Sequence, residues 1–336
     1  MVALLSGVTV GIIANPAAGK DIRRLVAHGR VVSNQEKANI LRRVFAGLVS
    51  MGVERVLVMP DTSGLARPAI EDSRSLLNAE FVDMHAAESQ RHSTRAARLM
   101  REQGAGCIVT LGGDGTNRVV AKGAGELPIV PISTGTNNVF PQMTEGTLAG
   151  MAAGAIASGM VRWQDVCRRS KRLDVYVDGE RHDDALVDAA VSTHQFVGAR
   201  AIWEPDTLDC LFLTRAEPAS IGLSSLGSRL KPTKLDDPHG LYLRFKGEPG
   251  PNATTARAPL APGLVRDVEI ADWSEILPGE KHPVSLRRGT IALDGEREVE
   301  LIPSQSVEVS LAMDGPYVVD IVKTHELLAQ QSARDR

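Results

Sequence analysis

Cysteine and aromatic residues are scarce in this chain, and neither sign of charge dominates. The three cysteines, Cys107, Cys167 and Cys210, are odd in number and far apart, which excludes a disulfide framework and a paired-cysteine zinc site and favours a reducing cytoplasm. Aromatic residues make up 4% of the chain, which argues against stacking platforms for nucleic acid. A formal net charge of -3 gives no general attraction to polyanions or anionic membranes. No apolar run approaches the roughly 18 residues that would span a bilayer.

The first part of the chain alternates strand-like and helix-like segments. Strands are predicted at residues 8–14, 55–59, 107–111 and 128–132, and helices at 33–51 and 93–103. Ser33 and Glu36 form a capping box before the first of these helices. Because the strands are apolar nearly throughout, they indicate a parallel sheet covered on both faces. We therefore predict an N-terminal α/β domain over residues 1–146.

After residue 146, apolar and polar residues alternate with a period of two, which is typical of strands with one buried face. The pairs Asp178-Gly179 and Asp294-Gly295 each follow an alternating strand and predict tight hairpin turns. We predict a mostly antiparallel β domain over residues 147–320, entered through a small-residue helix at 148–159. The C-terminal segment, 321–336, is predicted to return to the first domain. Residues 246–263 contain four prolines and are predicted to form a mobile surface loop.

The most informative motif is Gly-Gly-Asp-Gly-Thr at residues 112–116, between an apolar strand and a helix start. Glycines let the backbone approach a ligand, and a helix N-terminus adds partial positive charge, so this turn suits a phosphate. A carboxylate beside a phosphate is tolerable chiefly when it binds a metal, accepts a hydroxyl proton or orients an acceptor. Asp114 in this turn therefore suggests phosphoryl transfer.

Two further loops follow predicted strands. Residues 15–20 (Asn-Pro-Ala-Ala-Gly-Lys) look like a P-loop, but Ala14 and Asp21 stand where a Walker motif needs Gly and Ser or Thr. Residues 133–138 (Ser-Thr-Gly-Thr-Asn-Asn) form the third loop. Because loops at the carboxyl ends of parallel strands gather along one edge, the three loops predict a cleft for a phosphate-bearing ligand.

Some candidates stay open on the residues alone. Asp-Gly-Glu occurs at 178–180 and at 294–296, and each copy is equally compatible with a plain hairpin turn. The histidines show no metal-ligand spacing, and His194 is a candidate for the cleft or for a solvent-facing position.

The three loops together resemble those of the superfamily of NAD kinases and diacylglycerol or sphingosine-type lipid kinases, and most closely the acetoin-catabolism protein X group. The resemblance implies a nucleotide-binding α/β domain followed by a β-rich domain, with the active site in the cleft between them. It implies an ATP- and Mg²⁺-dependent kinase that phosphorylates a hydroxyl of NAD or a related small molecule. It also implies that Asp114 is the central catalytic acid, and it favours Asp294 and Glu296 as the functional Asp-Gly-Glu copy. The nucleotide-binding residues that it implies are Asn15, Pro16, Gly19, Lys20, Gly112, Gly113, Gly115, Thr116, Thr134, Gly135, Thr136, Asn137 and Asn138.

The chain departs from the NAD kinase pattern at one point. NAD kinases carry an Asn-Glu pair after the second glycine loop, whereas here no acid follows Asn138 until Glu145. A lipid-type kinase and a catalytically inactive nucleotide sensor linked to acetoin catabolism therefore remain alternatives. The donor, ATP or polyphosphate, also stays open, as does a homo-oligomeric state. The expected partners are a nucleotide and a small-molecule acceptor, with no nucleic acid and no membrane span.

Overall fold

The computed structural model describes residues 7–19, 28, 31–87, 89–135, 138–194 and 205–334. Its first sheet has seven strands, six of them consecutive parallel neighbours. Numbered along the chain and given in their order across this sheet, they are β3 (Asn78–Phe81), β2 (Arg55–Val58), β1 (Thr9–Ala14), β4 (Ile108–Gly112), β5 (Ile129–Ser133), β19 (Tyr317–Val319) and β6 (Cys167–Arg169).

Helices cover both faces of the first sheet. The helices of the described residues are α1 (Asn34–Ser50), α2 (Arg67–Ser73), α3 (Gln90–Glu102), α4 (Asp114–Ala124), α5 (Gly146–Ala157), α6 (Trp163–Val166), α7 (Ser224–Leu230) and α8 (Ile321–Arg334). In β1, Val10 and Ile12 pack with α1 and α5 on one face, whereas Ile13 packs with α3 and α4 on the other. The predicted parallel α/β arrangement is confirmed, and burial on both faces explains why its strands lack polar alternation.

The small-residue helix, α5, packs closely against α1. A Cβ added at Gly47 would lie 2.3 Å from the carbonyl oxygen of Thr147, and one at Gly150 would lie 2.2 Å from that of Val44. The two helix backbones therefore meet where only glycine fits. The Ser33 half of the predicted capping box is confirmed, since the Ser33 side chain accepts a hydrogen bond from the N–H of Glu36.

The second half of the chain forms antiparallel sheets, as predicted. A six-stranded sheet has the order β14 (Asp272–Ile276), β11 (Gly240–Arg244), β10 (Leu208–Leu213), β9 (Asp188–Ser192), β16 (Gly289–Leu293) and β17 (Glu296–Leu301). A four-stranded sheet has the order β15 (Lys281–Pro283), β18 (Val307–Ala312), β7 (Arg172–Val177) and β8 (Glu180–Ala185). A two-stranded sheet pairs β12 (Thr254–Ala261) with β13 (Leu264–Ile270), and a 3-10 turn lies at Pro205–Thr207.

The six-stranded sheet lies between two apolar layers. Val191 and Ile291 on one face pack with Val175 and Val309 of the four-stranded sheet. The opposite face packs beneath the β12–β13 hairpin and α7. Both faces of the six-stranded sheet are thus covered by other elements, which gives the second half its own core.

The Asp-Gly hairpin turns are confirmed. Asp178 joins β7 to β8 with φ 51°, and Asp294 joins β16 to β17 with φ 52°; Gly179 and Gly295 also have positive φ. Positive φ at both central residues defines the type I′ turn, whose twist matches that of the flanking strands.

The prediction of a mobile loop over residues 246–263 is wrong for residues 254–261, which form β12 and bury the alternate residues Ala256, Ala258 and Leu260. Residues 246–253 lie outside the strands. Pro259 is tolerated because β12 has only β13 as a partner, and its carbonyl accepts the N–H of Gly222. Pro259 therefore lies in an edge strand, and Gly263 (φ +75°) lies in the turn after it.

The C-terminal part of the chain contributes one strand to the first sheet and one helix that packs against two helices of the same half. β19 pairs in parallel with β5, and α8 contacts α5 and α6. The boundaries at residues 146 and 320 stay predictions. Among the described residues, no helix has both the length and the apolar character needed to cross a bilayer.

Candidate functional site

The three glycine-containing loops after β1, β4 and β5 meet, as their sheet positions predict. The Asn15 side-chain amide donates a 2.9 Å hydrogen bond to the Thr116 hydroxyl and so joins the first loop to the second. A Cβ at Gly19 would lie 2.7 Å from the Thr134 carbonyl oxygen, which brings the first loop against the third. A Cβ at Gly113 would lie 2.9 Å from Asn138 Oδ1, which joins the second and third loops.

Lys37 fixes the shape of the first loop and was missed in the sequence. Its side chain is fully buried, and its Nζ donates to the carbonyl oxygens of Asn15, Pro16 and Ala18 at 2.9–3.0 Å. An ammonium group has three donors, so this arrangement satisfies it. The signal was present, because Lys37 begins the buried helical series that continues at 40, 41 and 44.

Gly112 ends β4, and Gly113 is the N-cap of α4. A Cβ at Gly112 would lie 2.5 Å from the Thr116 side chain, so the tight turn requires glycine there. Asp114 is the first residue of α4 and is 7% exposed. Its carboxylate accepts the N–H groups of Val139 and Phe140 at 2.8–3.1 Å, which fastens the end of the third loop to α4.

The environment of Asp114 disfavours its charge. Burial raises the pKa of Asp114 to about 7, with a further contribution from the negative charge of Asp294 and opposition from the N–H groups of Phe140 and Val139. A group that titrates near neutrality can both accept and release a proton at physiological pH.

Asp294 and Glu296 lie beside α4, whereas the other Asp-Gly-Glu copy does not. Asp294 is 6% exposed, and its carboxylate accepts the N–H groups of residues 186, 187 and 188 at 2.7–3.2 Å. Burial raises the pKa of Asp294, opposed chiefly by Arg118. The Glu296 carboxyl carbon would be 3.2 Å from a Cβ at Gly115. Asp178 is exposed and accepts the N–H of Ser306.

Two buried arginines of this region were also missed in the sequence. Arg118, on α4, is fully buried, with Nη1 3.2 Å from Asp183, Nη2 3.2 Å from Glu298 and Nε 3.9 Å from Asp294. Arg215 follows β10 and is 6% exposed. The partners of Arg118 are far away in the sequence, so local patterns give no sign of its contacts. Arg215 Nη1 lies 3.9 Å from Glu217, two positions further along the chain.

Asn138 contacts two other residues of the third loop, Ser133 and Gly135. Its Nδ2 donates to Ser133 Oγ at 2.7 Å, and its side chain lies within 3 Å of the Cβ position at Gly135. Thr134 is fully buried. Lys20, Thr136 and Asn137 lie outside the described residues. His194 lines neither of the two cavities described next, and its N–H donates to Ser192 Oγ.

The loops border two cavities. One, of about 490 Å³, has Asn15, Pro16, Gly115, Thr116 and Glu296 in its lining, together with residues of α3 and Glu298. The other, of about 310 Å³, is lined in part by Gly135 and Asn138. Gly19, Gly112, Gly113, Asp114, Thr134 and Asp294 belong to the packed layer beneath and are not in either lining.

Within the described residues, no group of three or more His, Cys, Asp and Glu side chains is placed to hold a metal ion. Two carboxylates are nevertheless paired at the larger cavity, because Gln90 Nε2 donates at 2.6 Å to both Glu296 and Glu298. Mg²⁺ is commonly bound by one or two carboxylates together with substrate phosphates, so this pair fits the ion.

Comparison with known proteins agrees with this architecture. Residues 10–161 match the model of the ATP-NAD kinase N-terminal domain, and residues 171–314 match that of the acetoin catabolism protein X C-terminal domain. The chain is 41% identical over 314 residues to Acetoin catabolism protein X of Cupriavidus necator (strain ATCC 17699), covering 90% of this chain and 87% of that protein. The resemblance predicted from the loops is confirmed, and the chain belongs to the acetoin catabolism protein X family, with a kinase-type N-terminal domain.

Proposed function

We propose that the protein is a phosphotransferase that moves a phosphoryl group from a nucleoside triphosphate, ATP, to a hydroxyl of NAD or a related small molecule. The observation that carries the proposal is the convergence of three glycine-containing loops at the start of α4, beside a cavity of about 490 Å³. Backbone N–H groups at a helix N-terminus favour phosphate. The match of residues 10–161 to a kinase domain supports the same assignment.

In this proposal the loops hold the phosphates. The N–H groups at the start of α4 and the Thr116 hydroxyl would donate to phosphate oxygens, with Asn15 fixing that hydroxyl at 2.9 Å. The Lys37 ammonium group keeps the first loop in shape by donating hydrogen bonds to its carbonyl oxygens. The nucleotide-binding set remains Asn15, Pro16, Gly19, Lys20, Gly112, Gly113, Gly115, Thr116 and residues 134–138.

Asp114 is the proposed general base. Its pKa of about 7 lies near the operating pH, which is where a base works best. The ionised carboxylate would accept the proton of the acceptor hydroxyl as the oxygen attacks phosphorus. The Val139 and Phe140 N–H groups hold that carboxylate in a fixed orientation. Burial is the main cause of the raised pKa of Asp114, and the negative charge of Asp294 adds to it.

A magnesium ion would neutralise the charge that develops on the phosphate oxygens. The residues that would hold it are Glu296 and Glu298, which Gln90 keeps together. Glu298 is itself 3.2 Å from Arg118, so the pair is oriented before any ion binds. The three free cysteines fit the proposed reducing cytoplasm.

ADP formation with NAD as the sole acceptor tests the proposal most directly. We expect ADP release that depends on Mg²⁺, on NAD and on Asp114. The Asp178→Asn variant is a control, because Asp178 lies on an exposed turn. Absence of ADP release with NAD and with a panel of small alcohols, although nucleotide still stabilises the protein, would refute transferase activity.

One observation favours a second candidate, a protein that binds nucleotide and senses it without catalysis. Both oxygens of Asp114 already accept backbone N–H groups, which is also what a purely structural carboxylate would do. Nucleotide-dependent thermal stabilisation without turnover supports that reading. A lipid-type kinase remains the other alternative, because the lining of this cavity mixes polar residues such as Gln90 with apolar residues such as Met59 and Val119.

A further inference from the structure

Arg215 is a buried cation that the reaction proposed above does not use. It follows β10 in the second half of the chain, and its guanidinium carbon lies 5.4 Å from the centre of the Phe140 ring. Phe140 is the residue whose N–H donates to Asp114. Arg215 therefore lies beside the end of the third loop, next to a residue that holds the proposed base.

The donors of Arg215 are poorly matched by the protein. Nε and Nη2 have no hydrogen-bond partner among the described residues, and Nη1 is 3.9 Å from Glu217, whose side chain is 41% exposed. Asp114 and Asp294 are near enough to influence the pKa of Arg215 but receive their hydrogen bonds from backbone N–H groups. A buried donor without a partner is costly, and more so when it is charged.

The two free donors form one edge of the guanidinium group. Nε–H and Nη2–H point in parallel, and this edge matches two oxygens of a carboxylate or phosphate. Burial lowers the pKa of Arg215, opposed by Glu217, Asp114 and Asp294, so a bound anion would relieve an existing penalty.

Arg215 lines a cavity of about 570 Å³, with Phe140, Gln142 and Glu217 among the other lining residues. The other charged groups there already have partners. Arg168 is 3.0 Å from Asp320, and Glu145 is 3.0 Å from Arg43. Among the charged residues that line this cavity, Arg215 is therefore the one whose Nε–H and Nη2–H both lack a partner among the described residues.

We propose that Arg215 binds two oxygens of an anionic ligand, a carboxylate or a phosphate group, in this cavity beside the end of the third loop. The site differs from the proposed phosphate site, because this cavity shares no lining residue with the cavity of about 490 Å³ beside the loops. Anion binding by Arg215 requires no phosphoryl transfer. A negative result in the ADP assay therefore leaves this proposal standing, and a negative result in the test below leaves the proposed transfer standing.

The test measures the shift in melting temperature of the full chain against inorganic phosphate and, separately, acetate, with ionic strength held constant by NaCl. We expect at least one probe to stabilise the wild-type protein. Arg215→Gln should weaken the affinity for that probe by about tenfold to a hundredfold. Arg168→Gln is the matched control, because Arg168 lines the same cavity but is exposed and paired, and its affinity should change by less than about twofold.

If Arg215→Gln does not fold, Arg215→Lys is used to test whether anion binding depends on the guanidinium group. It keeps the positive charge but cannot present two parallel donors, so its affinity should also fall about tenfold. Stabilisation by phosphate alone identifies a phosphate-bearing ligand, and stabilisation by acetate alone identifies a carboxylate. No response of the wild-type protein to either probe, or equal affinities in the wild type and in the Arg215 variants, would overturn the proposal.

Discussion

Asp114 combines two properties at the scale of a single residue. Its carboxylate is held by the backbone of the third loop, and burial raises its pKa to about 7. An immobile group that is half-ionised near neutrality is suited to accept a proton without reorganising. The same hydrogen bonds make Asp114 part of the scaffold, so a test must separate chemistry from structure.

Replacement of Asp114 by Asn should lower turnover about a hundredfold or more, because an amide cannot accept the proton. Nucleotide affinity should change by no more than about threefold, since the loops that hold the phosphates remain. Turnover is measured as ADP release and affinity by calorimetric titration with ADP. Turnover within about threefold of wild type would remove Asp114 from the chemistry.

The pH dependence of activity should report the same group. Asp114 must be ionised to act as a base, so kcat/KM should fall as the pH drops through about 7. Because the negative charge of Asp294 raises the pKa of Asp114, Asp294→Asn should move this limb to lower pH. A rate profile measured from pH 5 to 9 checks both statements.

Asp178→Asn is a matched control for this experiment. Asp178 and Asp294 occupy equivalent Asp-Gly-Glu turns with φ of 51° and 52°, and Asn tolerates that backbone conformation. Only Asp294 is buried beside α4, so the profile of Asp178→Asn should superimpose on that of the wild type. Identical shifts in the two variants would show that the effect comes from the turn rather than from the charge.

At the scale of elements, the sequence predicted the parts whose signals are local. Apolar strands, the Ser33 cap and the Asp-Gly turns each depend on a few neighbouring residues, and the structure has all of them. The convergence of the loops followed from sheet geometry. The β12–β13 hairpin was missed because its buried face is largely alanine and its strand contains Pro259.

The missed side chains are charged groups inside the protein. Lys37, Arg118 and Arg215 would each be assigned to solvent by composition, since such residues are rarely buried without partners. The partners of Lys37 and Arg118 are distant, as for Arg118 and Asp183, which lie 65 positions apart. Lys37 alone left a local trace, because it continues the apolar periodicity of α1.

Replacement of Lys37 by Met should disturb the first loop as a unit. Three carbonyls would lose their donor, and the expected destabilisation is about 1–3 kcal/mol because water can reach this partly buried loop. Nucleotide affinity should fall about tenfold, since the loop is no longer held against the third loop. Urea unfolding and calorimetric titration with ADP measure the two effects.

Lys171→Met provides the comparison. Lys171 is 1% exposed, and its Nζ also donates to three carbonyls, those of residues 234, 237 and 239, in the second half of the chain. Its loss should destabilise the protein comparably but leave nucleotide affinity within about twofold. If both variants bound nucleotide equally well, the first loop would not be part of the nucleotide site.

At the scale of the whole molecule, charges join the two halves of the chain. Arg118 on α4 lies between Asp183 of β8, Asp294 of the β16–β17 turn and Glu298 of β17. Lys122, one turn further along α4, also pairs with Asp183. The helix that carries Asp114 is therefore fastened to the β-rich half by the same groups that surround the proposed base.

Replacement of Arg118 by Gln should destabilise the protein by about 3–5 kcal/mol at pH 8, because Asp294 and Glu298 would lose their buried counter-charge and Asp183 would keep only Lys122. Arg181→Gln, at a 44% exposed side chain that pairs with Asp174 and Asp184, should cost at most about 1 kcal/mol. The loss at Arg118 should shrink as the pH falls, since protonated carboxyl groups need no counter-charge and burial already raises the pKa of Asp294. Urea unfolding at pH 8 and pH 5 measures both variants. Equal losses for the two arginines, or a loss at Arg118 that does not depend on pH, would contradict a charge-based junction between the halves.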